Sequence, residues 1–265
     1  GFVLGTSDDV NGSGRTYVAW NWKAGTSFTN DASATGIGTI DSTGSVSTDA
    51  GFSIVSYTST GSNGSIKHGL STTPSMIIFK RRSGDTENWV VYHKSLGATK
   101  NIKLNLTDAV STSSTRFNDT SPTSSVFTVG TSGDTNGGTS PFIAYCFAEK
   151  KGYSKFGSYT GNGNVSGPMI WTGFSPAFLM IKQTAAANDW FMIDNKREPF
   201  NPNNVQLVAN GTSASTNKGD LDLLSNGFKP RSSNAAWNEN NAQYIYMAFA
   251  ENPFVTSSGV PACAR

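Results

Sequence analysis

Apolar residues in this chain gather in short clusters, among them Met76–Phe79 (MIIF), Trp89–Tyr92 (WVVY), Phe178–Ile181 (FLMI) and Tyr244–Phe249 (YIYMAF), each bounded by Gly, Asn, Ser or Thr. Runs this short, rich in β-branched and aromatic residues and flanked by turn formers, predict strands. The first half of the chain offers GFSIVSYT, SMIIFKRR, NWVVYHK, KNIKLNL, VFTVGT and SPFIAYCFAEK, with counterparts in the second. Helical periodicity is almost absent. Asn-Gly pairs at Asn11-Gly12, Asn63-Gly64, Asn136-Gly137, Asn210-Gly211 and Asn226-Gly227 suggest tight hairpins with positive φ.

The clusters recur with a long period. The segment from Gly51 (GFSIVSYTSTG…NWVVYHK) resembles the segment from Gly152 (GYSKFGSYTGN…DWFMIDNK), aligning Phe52 with Tyr153, Pro74 with Pro176, Lys80 with Lys182 and Trp89 with Trp190, at offsets of 101 or 102. Their endings match too, Phe127–Glu149 answering Phe228–Glu251, and a third copy of this ending opens the chain at Phe2–Lys23. A repeat of this kind fixes the fold class ahead of any single residue. The expectation is an all-β protein of tandem antiparallel β-sandwich-like repeats of about 100 residues each. In that division, residues 1–25 are the end strands of a preceding repeat and 26–50 a linker or edge strands. Residues 51–151 and 152–254 are the two repeats, and 255–265 a C-terminal tail. The pattern leaves open whether the repeats build one sandwich or two. Because the chain starts inside a repeat, it is expected to be the C-terminal part of a longer polypeptide.

Composition narrows the possible functions. With 265 residues, 28 Gly, 14% charged and 11% aromatic residues, the chain has enough apolar clusters to escape disorder. The formal net charge is +2 and basic residues are scattered apart from Lys80-Arg81-Arg82, so no stripe follows a phosphate backbone and nucleic acid is not an expected partner. No apolar stretch reaches membrane-helix length, and no membrane insertion is expected. Cys146 and Cys263 form neither a disulfide framework nor a metal-spaced pair, and Cys146, inside an apolar strand, reads as a buried thiol.

Candidate chemistry is sparse. His68 and His93 would be the natural acid-base groups. Yet the counterpart of His93 in the other repeat is Asp194 or Asn195, and His68 corresponds to the Trp171-Thr172 region, so neither is predicted to be catalytic. Asp8, Asp9, Asn11 and Ser13 before Gly14 imitate the first half of a calcium loop, but Trp20 stands where the closing Glu belongs, which favours a polar turn. The carboxylate pairs Asp85 with Glu87, Asp189 with Asp194, and Asp220 with Asp222 read as solubilising charges rather than a glycosidase pair. Neither metal nor cofactor is expected. Residues shared by both repeats, Lys80 with Lys182 and Trp89 with Trp190, read as packing. Function should reside where the repeats differ. Trp237, in the Asn-rich tip SSNAAWNENNA, is therefore the candidate binding residue, set against folding back onto its own sheet or packing in a trimer interface.

The order TYVAWNWKAG, GFSIVSYT, GLSTTPSMIIFK, YCFAEKKGYSKFGSYTGNG, SNGFKPRS and IYMAFAENPFVTSSGVPACAR resembles the repeat domain of tail-fibre-like and other virion structural proteins of marine and cyanobacterial phages. The resemblance spans nearly the whole chain and supplies no catalytic residues. It implies a non-enzymatic virion protein, a homotrimer among other virion proteins. As part of a tail fibre it would attach to host surface polysaccharide or an outer-membrane protein. A capsid or tail decoration protein is the first alternative, and a polysaccharide depolymerase the second.

Overall fold

The computed structural model describes residues 1–251; the expected tail, 255–265, and Cys263 lie outside the described residues. Eighteen strands and three one-turn helices lie among the described residues. The first half holds α1 (Asp8–Asn11), β1 (Thr26–Asn30), α2 (Ala32–Thr35), β2 (Ser42–Ser47), β3 (Phe52–Thr58), β4 (Gly64–Lys67), β5 (Met76–Arg81), β6 (Val90–His93), β7 (Lys100–Lys103), β8 (Ser111–Thr112), α3 (Ser114–Phe117), β9 (Val126–Val129) and β10 (Pro141–Phe147). The second holds β11 (Ser154–Thr160), β12 (Ile170–Trp171), β13 (Pro176–Gln183), β14 (Trp190–Asp194), β15 (Asn203–Val208), β16 (Thr216–Leu224), β17 (Gly227–Pro230) and β18 (Gln243–Ala250). Every paired strand is antiparallel to its neighbour.

One eight-stranded sheet runs β1-β2-β3-β10-β5-β6-β7-β8 and a second runs β11-β18-β13-β14-β15-β16-β17-β12, while β4 and β9 pair separately. The stretch β3-β10-β5-β6-β7 of the first has the same order as β11-β18-β13-β14-β15 of the second. Side chains alternate along each central strand between two apolar layers. In the first sheet Val55, Tyr57, Ile77, Phe79, Val90, Tyr92 and Cys146 face an outer core, and Leu179, Ile181, Phe191, Tyr244 and Tyr246 do so in the second. Their neighbours Phe52, Met76, Ile78, Val91 and Phe147 meet Phe178, Met180, Trp190, Ile245, Met247 and Phe249 in a layer shared by the two sheets. Being buried on both faces is why these strands read as unbroken apolar runs instead of alternating ones. Each such side chain contributes about 1.5–3 kcal/mol on burial, so the shared layer binds the two sheets firmly together. Each half has its own outer core, and side chains of the two sheets meet in the shared layer.

Residues 1–25 differ from expectation, for they contain α1 and no strand. In the other two copies the ending strand lies between two partners, β10 between β3 and β5 and β18 between β11 and β13. Among the described residues no segment flanks the opening copy in that way. Its aromatic residues pack instead against the shared layer, Trp20 on Phe178 at 5.2 Å and Trp22 on Phe249 at 5.4 Å between ring centres. Residues 26–50 supply the edge hairpin β1-β2.

The Asn-Gly pairs also behave differently, since none has either residue at positive φ. What they provide is close approach. A Cβ on Gly137 would run into the backbone of Gly133, and one on Gly227 into the carbonyl of Ile170. At Asn136 and Asn238 the amide side chain knits a buried loop. Asn136 Oδ1 accepts from Thr60 N at 2.9 Å while Nδ2 donates to Ser62 O and Gly130 O. Asn238 Oδ1 accepts from Asn162 N at 2.8 Å while Nδ2 donates to Asn164 O. Asn11 makes the exposed version of the same turn, its Nδ2 donating to Gly5 O. The calcium-like string is therefore part of a recurring Asn turn, with Ser7, Ser132 and Asn234 accepting at its start from the amides of Asn11, Asn136 and Asn238.

Candidate functional site

The titratable groups capable of chemistry are built into the framework. His68 is fully buried; its Nδ1 accepts from Leu70 N at 3.2 Å, which leaves Nε2–H to donate to Thr123 O at 3.2 Å. His93 repeats the device at the junction of the sheets, Nδ1 accepting from Ser95 N and Nε2–H donating to Tyr246 O of the second half at 3.2 Å. Burial pulls both imidazoles down to about 4, so they are neutral near pH 7. Thr172 performs His68's turn function in the second half, its Oγ1 accepting from Phe174 N at 3.4 Å.

Lys182 is likewise enclosed: Nζ donates to Thr107 O at 3.0 Å and Asn188 O at 2.6 Å, and burial lowers it to about 8. Lys80, its counterpart, donates to Glu87 O at 2.5 Å and lies 5.6 Å over the Trp89 ring. The Cys146 thiol is pushed up to about 12 by burial, which keeps it in the unreactive protonated form. Several of the sequence-identified carboxylates are engaged one by one: Asp85 with Arg81 at 3.2 Å, Asp194 with Arg197 at 2.6 Å, Asp222 with Arg231 at 3.4 Å and Asp189 with Asn210 at 2.7 Å.

Trp237 is 1% exposed. The structure corrects its assignment as a surface binding residue, because the indole packs at a tilt against Phe191, 5.0 Å between ring centres, and sends Nε1–H to Lys218 O. Its carbonyl accepts from Tyr159 Oη at 2.8 Å, as the carbonyl of Thr135 accepts from Tyr57 Oη at 2.6 Å in the first half. The first half needs no large residue at Thr135, since Phe117 of α3 enters its outer core, 5.6 Å from Phe79 and 5.7 Å from Tyr92. The tips differ because the two cores are plugged from different segments.

The surface feature with the most polar convergence lies on the first half, where the β1-β2 hairpin meets the ends of β3 and β10. Asp31 caps α2, accepting from Ala34 N at 3.0 Å and Ser33 Oγ at 2.7 Å; these bonds hold its carboxyl below the usual range, the Ser33 hydroxyl contributing most. Asp41 accepts from Ala32 N at 2.8 Å, which brings the two carboxylates to the same helical turn. Asn30 fastens the loop by donating to Ile37 O and accepting from Thr35 Oγ1. These two carboxylates, the exposed Arg82 and the hydroxyls of Thr29, Thr43 and Thr58 surround a cleft of about 350 Å³. A second hollow, lined by Thr39, Thr60 and Thr139, adjoins it through Asp41 and Thr58. Donors, acceptors and charges of both signs thus converge on one open surface. Residues 26–50, expected as a linker or edge strands, do form the edge hairpin, but the pattern of apolar positions gave no sign of the cleft beside it. The available signal was Asn30-Asp31 before the small residues Ala32–Thr35, a helix-capping pattern.

No curated protein and no solved structure matches the chain. A family of unknown function, the Domain of unknown function (DUF7483), matches residues 1–253, and the chain belongs to that family.

Proposed function

We propose that this chain is a host-attachment module of a phage tail fibre, acting by non-catalytic binding of surface glycan through the cleft around Asp31, Asp41 and Arg82. The observation that carries the binding part is the division of polar groups. The imidazoles, Lys182 and the Cys146 thiol are sealed in the core, while an open, hydroxyl-rich cleft with both charge signs faces solvent. The virion context rests on the resemblance of the repeat motifs to fibre-like proteins of marine and cyanobacterial phages. Several copies per particle would raise weak individual contacts to useful avidity.

The test is adsorption of the labelled protein to marine and cyanobacterial cells, before and after mild periodate oxidation of their surface sugars. Saturable binding that periodate abolishes and that Arg82→Ala and Thr58→Lys each weaken severalfold supports the proposal; both residues are exposed, so neither substitution disturbs the core. Binding indifferent to both substitutions removes the cleft from consideration. Release of reducing ends from the glycan would replace it with a depolymerase, and attachment to purified capsids rather than cells with a decoration protein.

A further inference from the structure

The polar cleft is one of three hollows strung along a single pinned loop, residues 36–41, which leads from α2 past β4 towards β2. Gly38, at a φ of +77°, passes so close to β4 that a Cβ there would meet Ser65 O at 2.7 Å. Thr39 N and Ile40 N both donate to Ser65 O, while Ile37 O accepts from Asn30 Nδ2 at 2.9 Å. Asp41 lines the cleft with Arg82, and it lines the second hollow with Thr39. Two residues before Thr39, Ile37 borders a third hollow of about 380 Å³, walled by Lys67, Ser71, Ser124 and Ser125. The track thus has a cation in each of its end hollows and hydroxyls between them.

The charges along this track are not matched. Asp31 accepts from Ala34 N and Ser33 Oγ and Asp41 from Ala32 N, so each carboxylate answers donors of its own hairpin. Arg82 and Lys67 have no ion pair among the described residues, and residues 252–265 contain neither Asp nor Glu. Nor does the repeated frame call for these two cations. Thr184 takes the place of Arg82, its amide donating to Gln243 O as that of Arg82 does to Pro141 O. Trp171 takes the place of Lys67, paired with Gly227 as Lys67 is with Val126. Both cations therefore belong to the half that carries the loop. Surplus positive charge at two separated points selects a chain with negative groups at intervals.

We infer, resting on the reading that this surface binds glycan, that its ligand is an acidic polysaccharide whose carboxylates or sulfate esters meet Arg82 and Lys67 while its hydroxyls meet the threonines. The guanidinium fork of Arg82 matches either anionic group, and Lys67 supplies a point charge. A polymer long enough to reach both hollows joins two weak contacts into one stronger one.

The experiment is equilibrium binding of the whole chain to polygalacturonate and to dextran sulfate, each beside its uncharged counterpart, methyl-esterified polygalacturonate or dextran. Expected is saturable binding to an anionic polymer, roughly tenfold or more above its neutral counterpart and weakening as salt is raised. Arg82→Gln and Lys67→Gln should each weaken it severalfold, and Lys218→Gln, which removes an exposed cation of the second half, should not. Far-ultraviolet circular dichroism verifies that the variants keep the fold, and the two anionic arms tell carboxylate from sulfate. Equal binding of charged and neutral polymers overturns the inference and leaves glycan binding standing. Equal weakening by Lys218→Gln overturns it by exposing a general attraction to positive charge. Binding to neither anionic polymer overturns it too, while adsorption to periodate-treated cells decides the glycan reading separately.

Discussion

The two halves share the β3-β10-β5-β6-β7 order but are finished differently. In the first, a two-stranded hairpin seals the sheet edge, α3 plugs the outer core with Phe117, and the added hairpin creates the polar cleft. In the second, the long strand β16 replaces α3, Trp237 becomes the plug, and among the described residues no hairpin pairs with β11 at the edge, while Trp171 is exposed. The repeated residues thus build the frame. The unrepeated ones either complete a core or make a surface, and their position in a loop does not tell which.

The sharpest way to break this comparison is to truncate equivalent residues. Trp190 is buried in the shared layer and donates to Lys103 O at 2.8 Å, whereas Trp89 is half-buried against Tyr145. Urea unfolding should show a loss of about 3–5 kcal/mol for Trp190→Ala and nearer 1 kcal/mol for Trp89→Ala; equal losses would deny the asymmetry of the layer. Trp237→Ala should also cost about 3–5 kcal/mol, with cell binding per folded molecule unchanged, as befits a core plug.

Acidification comes next. His68 and His93 titrate at about 4 in the folded chain and near 6.5 when unfolded, so only the unfolded state gains protons between those values. Stability should be complete above pH 6.5, fall as pH drops toward 4, and level off below, by on the order of 3 kcal/mol per histidine. His68→Thr, the second half's own solution, should remove about half of that slope in thermal melts across pH. Smaller again, Asn136→Ala and Asn238→Ala should each cost about 1–3 kcal/mol by stranding buried backbone groups, while the exposed Asn11→Ala should cost under about 0.5 kcal/mol.

Much of the frame was legible because double-sided burial forces continuous apolar runs: β5, β6 and β10 lie inside the stretches read as strands, and Cys146 is buried as expected. Three features were not. Trp237 looked like a surface residue because its Asn neighbours form a turn around it, and only the absence of a Phe117 equivalent explains why an indole is needed there. The Asn-Gly pairs were read through local φ preference, whereas Gly137 and Gly227 answer to backbones from elsewhere in the chain. The opening copy carries strand-like sequence that remains unpaired, because pairing depends on neighbours and not on propensity alone.

The most direct test of attachment through the first half is titration of labelled protein onto intact host cells, comparing the wild type with Arg82→Ala at equal oligomeric state. Saturable wild-type binding, lost after periodate treatment and severalfold weaker for Arg82→Ala, is the expected result; identical curves for the two proteins, or no binding by either, would contradict it.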